Sequence, residues 1–201
     1  MKLYAMSISG NCHKVEQLLR MLGRTYERID VAPVPVEERP SELRAANPLG
    51  KTPTLVLDDG RVLTESGAIL VHLARGTEWF PEDAVLQDEI LRWMFFEQNE
   101  HEPCLATARY WTTYSGRAAE MAPVLAFWRE RGTRVLAAMD AHLARHAFFA
   151  AGRHTIADVA LHPYTAACAE GGFDLAPFTN VRAWLERLRD QPRHLPFGPA
   201  S

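Results

Sequence analysis

Cysteine is scarce in this chain. Cys12, Cys104 and Cys168 are three in number, odd, and scattered along 201 residues. They offer no disulfide framework and no zinc spacing, so a reducing, cytoplasmic setting is expected. Lysine is also rare: of 22 basic residues only Lys2, Lys14 and Lys51 are lysine. The formal net charge is −3, so there is no basic field to hold nucleic acid or an anionic membrane surface, and neither partner is expected. Long apolar runs are missing. The longest uncharged one, around residues 67–73, falls far short of the roughly 20 residues a membrane span needs. The opening Met-Lys-Leu-Tyr-Ala-Met-Ser lacks the apolar stretch of a secretion signal. Dinucleotide glycine fingerprints and lysine-bearing phosphate loops are absent too.

What is present is ordinary globular composition, 47% hydrophobic and 23% charged. That excludes disorder as the main state and suffices for one large domain or two small ones.

The first 75 residues alternate between strand and helix. Residues 2–5 are β-compatible. Residues 11–22 place Val15, Leu18, Leu19 and Leu22 at helical spacing, with Gly23 as the stop. Residues 26–31 alternate as a strand. Pro33, Pro35 and Pro40 mark an irregular stretch, and 41–46 is a short helix ended by Asn47-Pro48-Leu49-Gly50. Asp58-Asp59-Gly60 turns between strands 54–57 and 61–64, and 66–74 is helical. The order βαβ-α-ββα requires one parallel crossover and one hairpin, hence a mixed four-stranded sheet with helices on both faces. Residues 77–85 read as a linker after an α/β domain of residues 1–76. Residues 86–201 form an all-helical domain, with helices at 86–114, 119–146, 155–168 and 180–190. A kink or break is expected at Pro103. Pro192, Pro196 and Pro199 make the tail irregular.

Four short motifs can carry chemistry. Ser9-Gly10-Asn11-Cys12-His13-Lys14 lies between a strand and a helix, where free N–H groups stabilise an anion or a thiolate. Ser9 offers a hydroxyl, Gly10 a close backbone approach for a ligand, and Asn11 an amide; equally, Ser9 or Asn11 can simply cap the helix. Thr52-Pro53 precedes a strand, where Pro53 is either a cis proline or an ordinary edge-strand opener. Glu65-Ser66 sits at a strand-to-helix junction, able to receive a ligand's ammonium and carboxylate or to cap the helix. Thr155-Ile156-Ala157-Asp158 reads as a capping box that supports folding. His142 and His146 share a helix face without a third ligand nearby, so no metal is expected.

Together, in this order and spacing, these motifs resemble the cytosolic glutathione transferases over nearly the whole chain. The resemblance implies a thioredoxin-like N-terminal domain and glutathione as co-substrate. It assigns Ser9 to the glutathione sulfur, the Thr52 backbone before cis Pro53 to the cysteinyl part, Glu65 and Ser66 to the γ-glutamyl end, and Lys51 to the glycyl carboxylate. Ser-Gly-Asn-Cys-His-Lys is also similar to the Thr-Pro-Asn-Gly-His-Lys stretch of a bacterial disulfide-reductase subgroup, which gives Asn11 a role in activation. Cys12 does not fall at the thiol position of cysteine-type members and reads as a small apolar residue. Tyr4 lies on the first strand, so Ser9 is favoured over it. Tyr110, Trp111 and Tyr114 are candidate walls for a small apolar electrophile. The resemblance further implies a homodimer; the apolar Leu-Arg-Trp-Met-Phe-Phe at residues 91–96 fits one, with Glu97, Gln98 or Glu100 reaching the partner's ligand. The expected activity is thiol conjugation. Disulfide reductase or peroxidase activity, and a non-catalytic glutathione-binding stress protein, are the alternatives.

Overall fold

The apolar stripe of the first helix organises the N-terminal layer. Val15, Leu18 and Leu19 are fully buried along α1, Gly10–Met21. Ser9 caps its start, the hydroxyl oxygen accepting the Cys12 N–H at 3.3 Å. Gly23 follows its end with φ of 65°, a conformation open to glycine. Strand β1, Lys2–Ala5, precedes α1, and β2, Glu27–Asp30, follows it and pairs in parallel with β1. After a 3₁₀ turn at Val36–Glu38 come α2 (Ser41–Ala46), β3 (Thr54–Val56), β4 (Val62–Leu63) and α3 (Ser66–Ala74). The sheet order is β2-β1-β3-β4, with β3 antiparallel to both neighbours. β2 and β4 are shorter than the spacing suggests. Both are edge strands, paired on one side only, so their ends lack a ladder.

The computed structural model describes residues 1–197. Pro199 and the end of the expected helical domain lie outside them. After β4 every regular element among the described residues is helical: α4 (Ala84–Phe96), α5 (Glu102–Arg109), α6 (Ala122–Leu143), α7 (Ile156–Ala166) and α8 (Thr179–Arg189). The helix expected over 86–114 is interrupted by widened π turns at Glu97–His101 and Tyr110–Tyr114. The break expected at Pro103 is there: the regular helix stops at Phe96, and Pro103 sits in the first turn of α5, directly after the irregular turn. No helix among the described residues is long and apolar enough to cross a membrane.

The Thr155–Asp158 capping box forms as read, and Asp158 does more than cap. Its fully buried carboxylate accepts from the N–H of Thr155 (2.9 Å), the N–H of Phe149 (3.1 Å) and Nε1–H of Trp184 (3.0 Å). Burial pushes its pKa up to about 6 against the pull of those donors. α7 is thereby tied to the loop before it and to α8. The buried side chains of both halves, from Leu18 and Leu70 to Ile90, Leu161 and Trp184, form one continuous core. Tyr4 belongs to a small satellite core with Val31 and Leu43, so its role is packing.

Candidate active site

The first turn of α1 stands at the seam between the two halves. Ser9 uses its oxygen to cap the helix and sits beside the Cys12 thiol; among the described residues no stronger acceptor takes its hydroxyl proton. Gly10 packs against the helical half: a Cβ there would stand 2.7 Å from the Tyr164 ring. Cys12 is fully buried, its Sγ accepts the Met6 N–H at 3.3 Å, and burial raises its thiol pKa. The sulfur is therefore a packed thiol, not an exposed nucleophile.

A polar cleft of about 150 Å³ opens beside this turn, lined by Asn11, Lys51, Thr52, Pro53, Glu65 and Ser66, with Gln98 and Glu102 from the helical half. The Thr52–Pro53 bond is cis. Asn47 fixes the turn before it, donating from Nδ2 to the Lys51 carbonyl (3.2 Å) and to Thr54 Oγ1 (3.1 Å). Among the described residues no backbone hydrogen bond takes up the Thr52 N–H or C=O. Glu65 holds φ of 63° and ψ of 113°, rare for a residue with a Cβ, and this places its exposed carboxylate at the start of α3.

A buried charge network backs the cleft. Lys14 Nζ donates to Asn11 Oδ1 (2.7 Å), to Glu97 Oε1 (2.8 Å) and, more distantly, to Glu102 Oε2 (3.4 Å). Lys14 and Glu97 side chains are each 1% exposed, whereas Glu102 is 22% exposed. Burial works against the Glu97 carboxylate, but the Lys14 ammonium and the His101 ring hold its pKa down to about 2. Asn11 Nδ2 donates to Glu102 Oε1 at 2.7 Å, and Ser66 Oγ donates to Asn11 Oδ1 at 3.2 Å. The Asn11 amide is thus oriented from three sides. Glu97 is held in its own chain and has no reach to a partner's ligand, and Glu100 pairs with Arg131 on the outer face.

On the other side of Ser9 lies a cavity of about 490 Å³. Met6, Ile8, Val34, Val36 and Ala106 make it mostly apolar, and Tyr110, Tyr114 and Tyr164 line it as well. Trp111 does not line it; it packs against the Tyr110 ring and the core edge. Arg109 braces the wall. Its guanidinium donates to the Ile8 carbonyl (2.6 Å), to Glu170 Oε2 (2.8 Å) and to the Tyr114 hydroxyl (2.7 Å). Burial drives the Tyr164 phenol pKa far up, with Glu102 and Glu97 adding to it, so this hydroxyl stays protonated.

The comparisons with known proteins follow this geometry. The family pattern "Glutathione S-transferase, N-terminal domain" matches residues 3–78, and "Glutathione S-transferase, C-terminal domain" matches residues 105–192. Glutathione S-transferase 3 of Zea mays is 30% identical over 203 residues, covering 96% of this chain and 90% of the maize protein. The chain belongs to the glutathione S-transferase family. A crystal structure of a possible glutathione S-transferase from Rhodopseudomonas palustris superposes with a TM-score of 0.93 at 39% identity, covering 100% and 98% of the two chains. The disulfide-bond oxidoreductase YfcG of Escherichia coli K12 is 26% identical, covering 90% of this chain and 87% of that protein. The fold is the family's thioredoxin-like domain followed by a helical domain.

Lys51, Thr52, Pro53, Glu65, Ser66 and Asn11 come together in the cleft, and Ser9, Tyr110 and Tyr114 around the apolar cavity. The sequence reading missed Lys14, Glu102, Arg109 and Tyr164. Lys14 left one signal: it precedes Leu18 by four residues and so falls on the apolar stripe of α1. A lysine there calls for buried partners. His142 stacks on His146 (4.2 Å) and Phe149 (5.6 Å), so it is part of an aromatic cluster.

Proposed function

We propose that this protein binds glutathione along the polar cleft and ionises its thiol for conjugation to small, apolar electrophiles. The observation that carries the reading is the place of Ser9: it caps the N-terminus of α1 and lines the apolar cavity, two residues before Asn11 of the polar cleft. A glutathione thiol has a free pKa of about 8.5 and is mostly protonated at neutral pH. A hydroxyl donor and the positive end of α1 favour the thiolate. Lowering the pKa by about two units needs about 2.7 kcal/mol, and one hydrogen bond to a charged group supplies roughly 1.5–3 kcal/mol. The thiolate then attacks the electrophilic carbon, the carbon–sulfur bond forms, the leaving group departs with its electron pair, and the thiol proton has gone to solvent.

The remaining cleft residues orient the tripeptide. Thr52 offers unpaired backbone groups to the cysteinyl part. Glu65 and Ser66 take the γ-glutamyl end, and Lys51 takes the glycyl carboxylate. Glu102 adds a second carboxylate for the ligand's ammonium, because Lys14 faces two carboxylates and neutralises one. Tyr110 and Tyr114 form the wall for the electrophile. No metal takes part in this reading.

A second reading is a glutathione-dependent disulfide reductase or peroxidase. The firmly oriented Asn11 amide and the similarity to the oxidoreductase of Escherichia coli favour it. There the thiolate attacks a disulfide sulfur, releasing one thiolate, and a second glutathione resolves the mixed disulfide to glutathione disulfide. A panel of 1-chloro-2,4-dinitrobenzene, cumene hydroperoxide and hydroxyethyl disulfide separates the readings. Fastest turnover of the aryl halide supports conjugation, and fastest turnover of the disulfide overturns it in favour of the second. Glutathione binding without any turnover points to a non-catalytic stress protein.

The reading includes a cytoplasmic, detoxifying role and a homodimer. Three free, buried cysteines suit a reducing compartment. For the dimer the support is a groove of about 390 Å³ between α3 and α4, lined by Ala68, Val71, Leu91 and Met94, beside Phe95, which is 64% exposed. Sedimentation at micromolar concentration should give twice the chain mass; a monomer removes the partner from the account.

A further inference from the structure

The peptide between Ile8 and Ser9 is pinned at both ends, once by each half of the molecule. Its N–H, that of Ser9, donates to the Met6 carbonyl at 3.0 Å, within the N-terminal half. Its C=O, that of Ile8, accepts Nη1–H of Arg109 at 2.6 Å, from α5 of the helical half. Bonds at both ends of one rigid plane fix the direction in which the chain enters Ser9, whose φ is −89° and ψ 117°.

Arg109 is itself firmly held. Its side chain is 7% exposed, and Nε–H donates to Glu170 Oε2 at 2.8 Å. Nη2–H donates to the Tyr114 hydroxyl at 2.7 Å, and that hydroxyl donates on to Glu170 Oε2 at 3.0 Å, closing a ring of hydrogen bonds. The Tyr114 and Phe197 ring centroids lie 4.8 and 5.0 Å from the guanidinium carbon. Glu170 reaches this place because Gly171 follows it: a Cβ on Gly171 would stand 3.0 Å from the Arg109 backbone N. All three guanidinium nitrogens are engaged, and one of them is spent on the carbonyl next to Ser9.

We propose that Arg109 is a positioning residue for Ser9: from the helical half it fixes the peptide that aims the Ser9 hydroxyl at the glutathione sulfur. The role rests on Ser9 being the donor to that sulfur. A donor of this kind must be held to within about 0.5 Å and about 10–20° of the productive geometry, and a bond at the N–H alone leaves the peptide free to tilt. Lysine cannot replace the fork, because one ammonium on a flexible stem cannot meet Glu170, Tyr114 and the Ile8 carbonyl in these directions.

Arg109→Lys tests this, because it keeps a charge opposite Glu170 and removes the fork. Ultraviolet titration of the bound glutathione thiol should give a pKa about half to one unit above wild type, with the glutathione Kd within about twofold and the acid limb of kcat/KM moved up by the same amount. In the Ser9→Ala background the same substitution should move the thiol pKa by less than about 0.2 units, since its effect passes through Ser9. An unmoved thiol pKa in Arg109→Lys, or an equal rise in both backgrounds, overturns the proposal. So does a lowered urea midpoint or a weakened glutathione Kd with the thiol pKa unmoved, which assigns Arg109 to folding alone. Should Arg109→Lys not fold, Glu170→Gln takes its place: it loosens the guanidinium, the thiol pKa should rise by about a quarter to half a unit, and an unchanged value overturns the role. If the wild-type thiol pKa stays near ~8.5, or Ser9→Ala leaves it unmoved, the reading of Ser9 fails and this role falls with it. A lowered, Ser9-dependent wild-type value that Arg109→Lys does not move overturns this role alone.

Discussion

Lys14 Nζ lies 2.7 Å from Asn11 Oδ1, so the first turn of α1 carries an amide whose orientation is set by a buried ammonium. The same ammonium holds Glu97 at 2.8 Å from 83 residues away, which makes it the electrostatic tie between the two halves of the molecule. Lys14→Met leaves the Glu97 carboxylate buried and without its cation. The expected loss is about 3–5 kcal/mol of folding free energy. Lys14→Met combined with Glu97→Gln should recover a large part of it, because the orphaned charge is gone. Urea unfolding of the three proteins reads this directly; a single variant as stable as the wild type contradicts the tie.

Glu102 accepts from Asn11 Nδ2 and, at 2.6 Å, from Gln98 Nε2, and it still lines the cleft. Glu102→Gln should therefore raise the glutathione Kd by about tenfold, the loss of one charge-assisted contact. Glutathione lacking its α-amino group should bind wild type and variant equally. If calorimetry finds that the variant discriminates the two ligands as the wild type does, the ammonium is held elsewhere.

Acid should weaken the fold through imidazoles at the junction of α1, α7 and the tail. His13 and His162 rings lie 5.6 Å apart, and His162 and His194 rings 5.0 Å apart. Burial lowers His13 and His154 to about 4, and it lowers His162 and His194 as well. The charged neighbours that act on them are one another and the cations Arg20 and Arg189, all of one sign, while the Leu195 and Pro196 backbone pulls the other way on His13. Their folded-state pKa values lie below the unfolded value near 6.5, so the unfolded chain binds these protons first. Stability is present above about pH 6.5 and is lost as pH falls toward 4, by about 1.4 kcal/mol per pH unit for each of His13 and His154, with His162 and His194 adding in the same direction. Asp158, with its pKa raised to about 6, acts with the opposite sign between pH 3.8 and 6, but it is one group against four. Urea midpoints at pH 7.5, 6.0 and 5.0 should fall in that order; a flat series contradicts the cluster.

Local punctuation made the N-terminal half legible. Proline and glycine stops bound α2 and α3, and Ser41–Ala46 and Ser66–Ala74 are the residues that the spacing predicts. Ser9 and the cleft residues were legible for the same reason: Ser9, Thr52, Pro53, Glu65 and Ser66 stand at strand-to-helix or turn-to-strand junctions, where the chain must bend and polar groups gather. The network behind them was not, because Lys14 and Glu97 meet only through the packing of α1 on the turn after α4. Arg109 was hidden similarly. Its carbonyl partner, Ile8, is 101 residues away, and nothing local marks it. Pro103 marked the interruption at Glu97–His101, but the one at Tyr110–Tyr114 escaped, since one extra residue in a turn leaves no clear mark on apolar spacing.

The central claim is that the Ser9 hydroxyl stabilises the glutathione thiolate, and the most direct measurement is the pKa of the bound thiol. Ultraviolet difference titration of the glutathione complex follows thiolate formation with pH in the wild type, Ser9→Ala and Ser9→Thr. The account predicts a wild-type value about two units below the free thiol's ~8.5. In Ser9→Ala the value should rise by at least about one unit, with kcat lowered about ten- to hundredfold and the glutathione Kd little changed. Ser9→Thr, which keeps a hydroxyl, should restore most of the shift. A thiol pKa in Ser9→Ala equal to the wild-type value would contradict the account and move the activating role to Asn11.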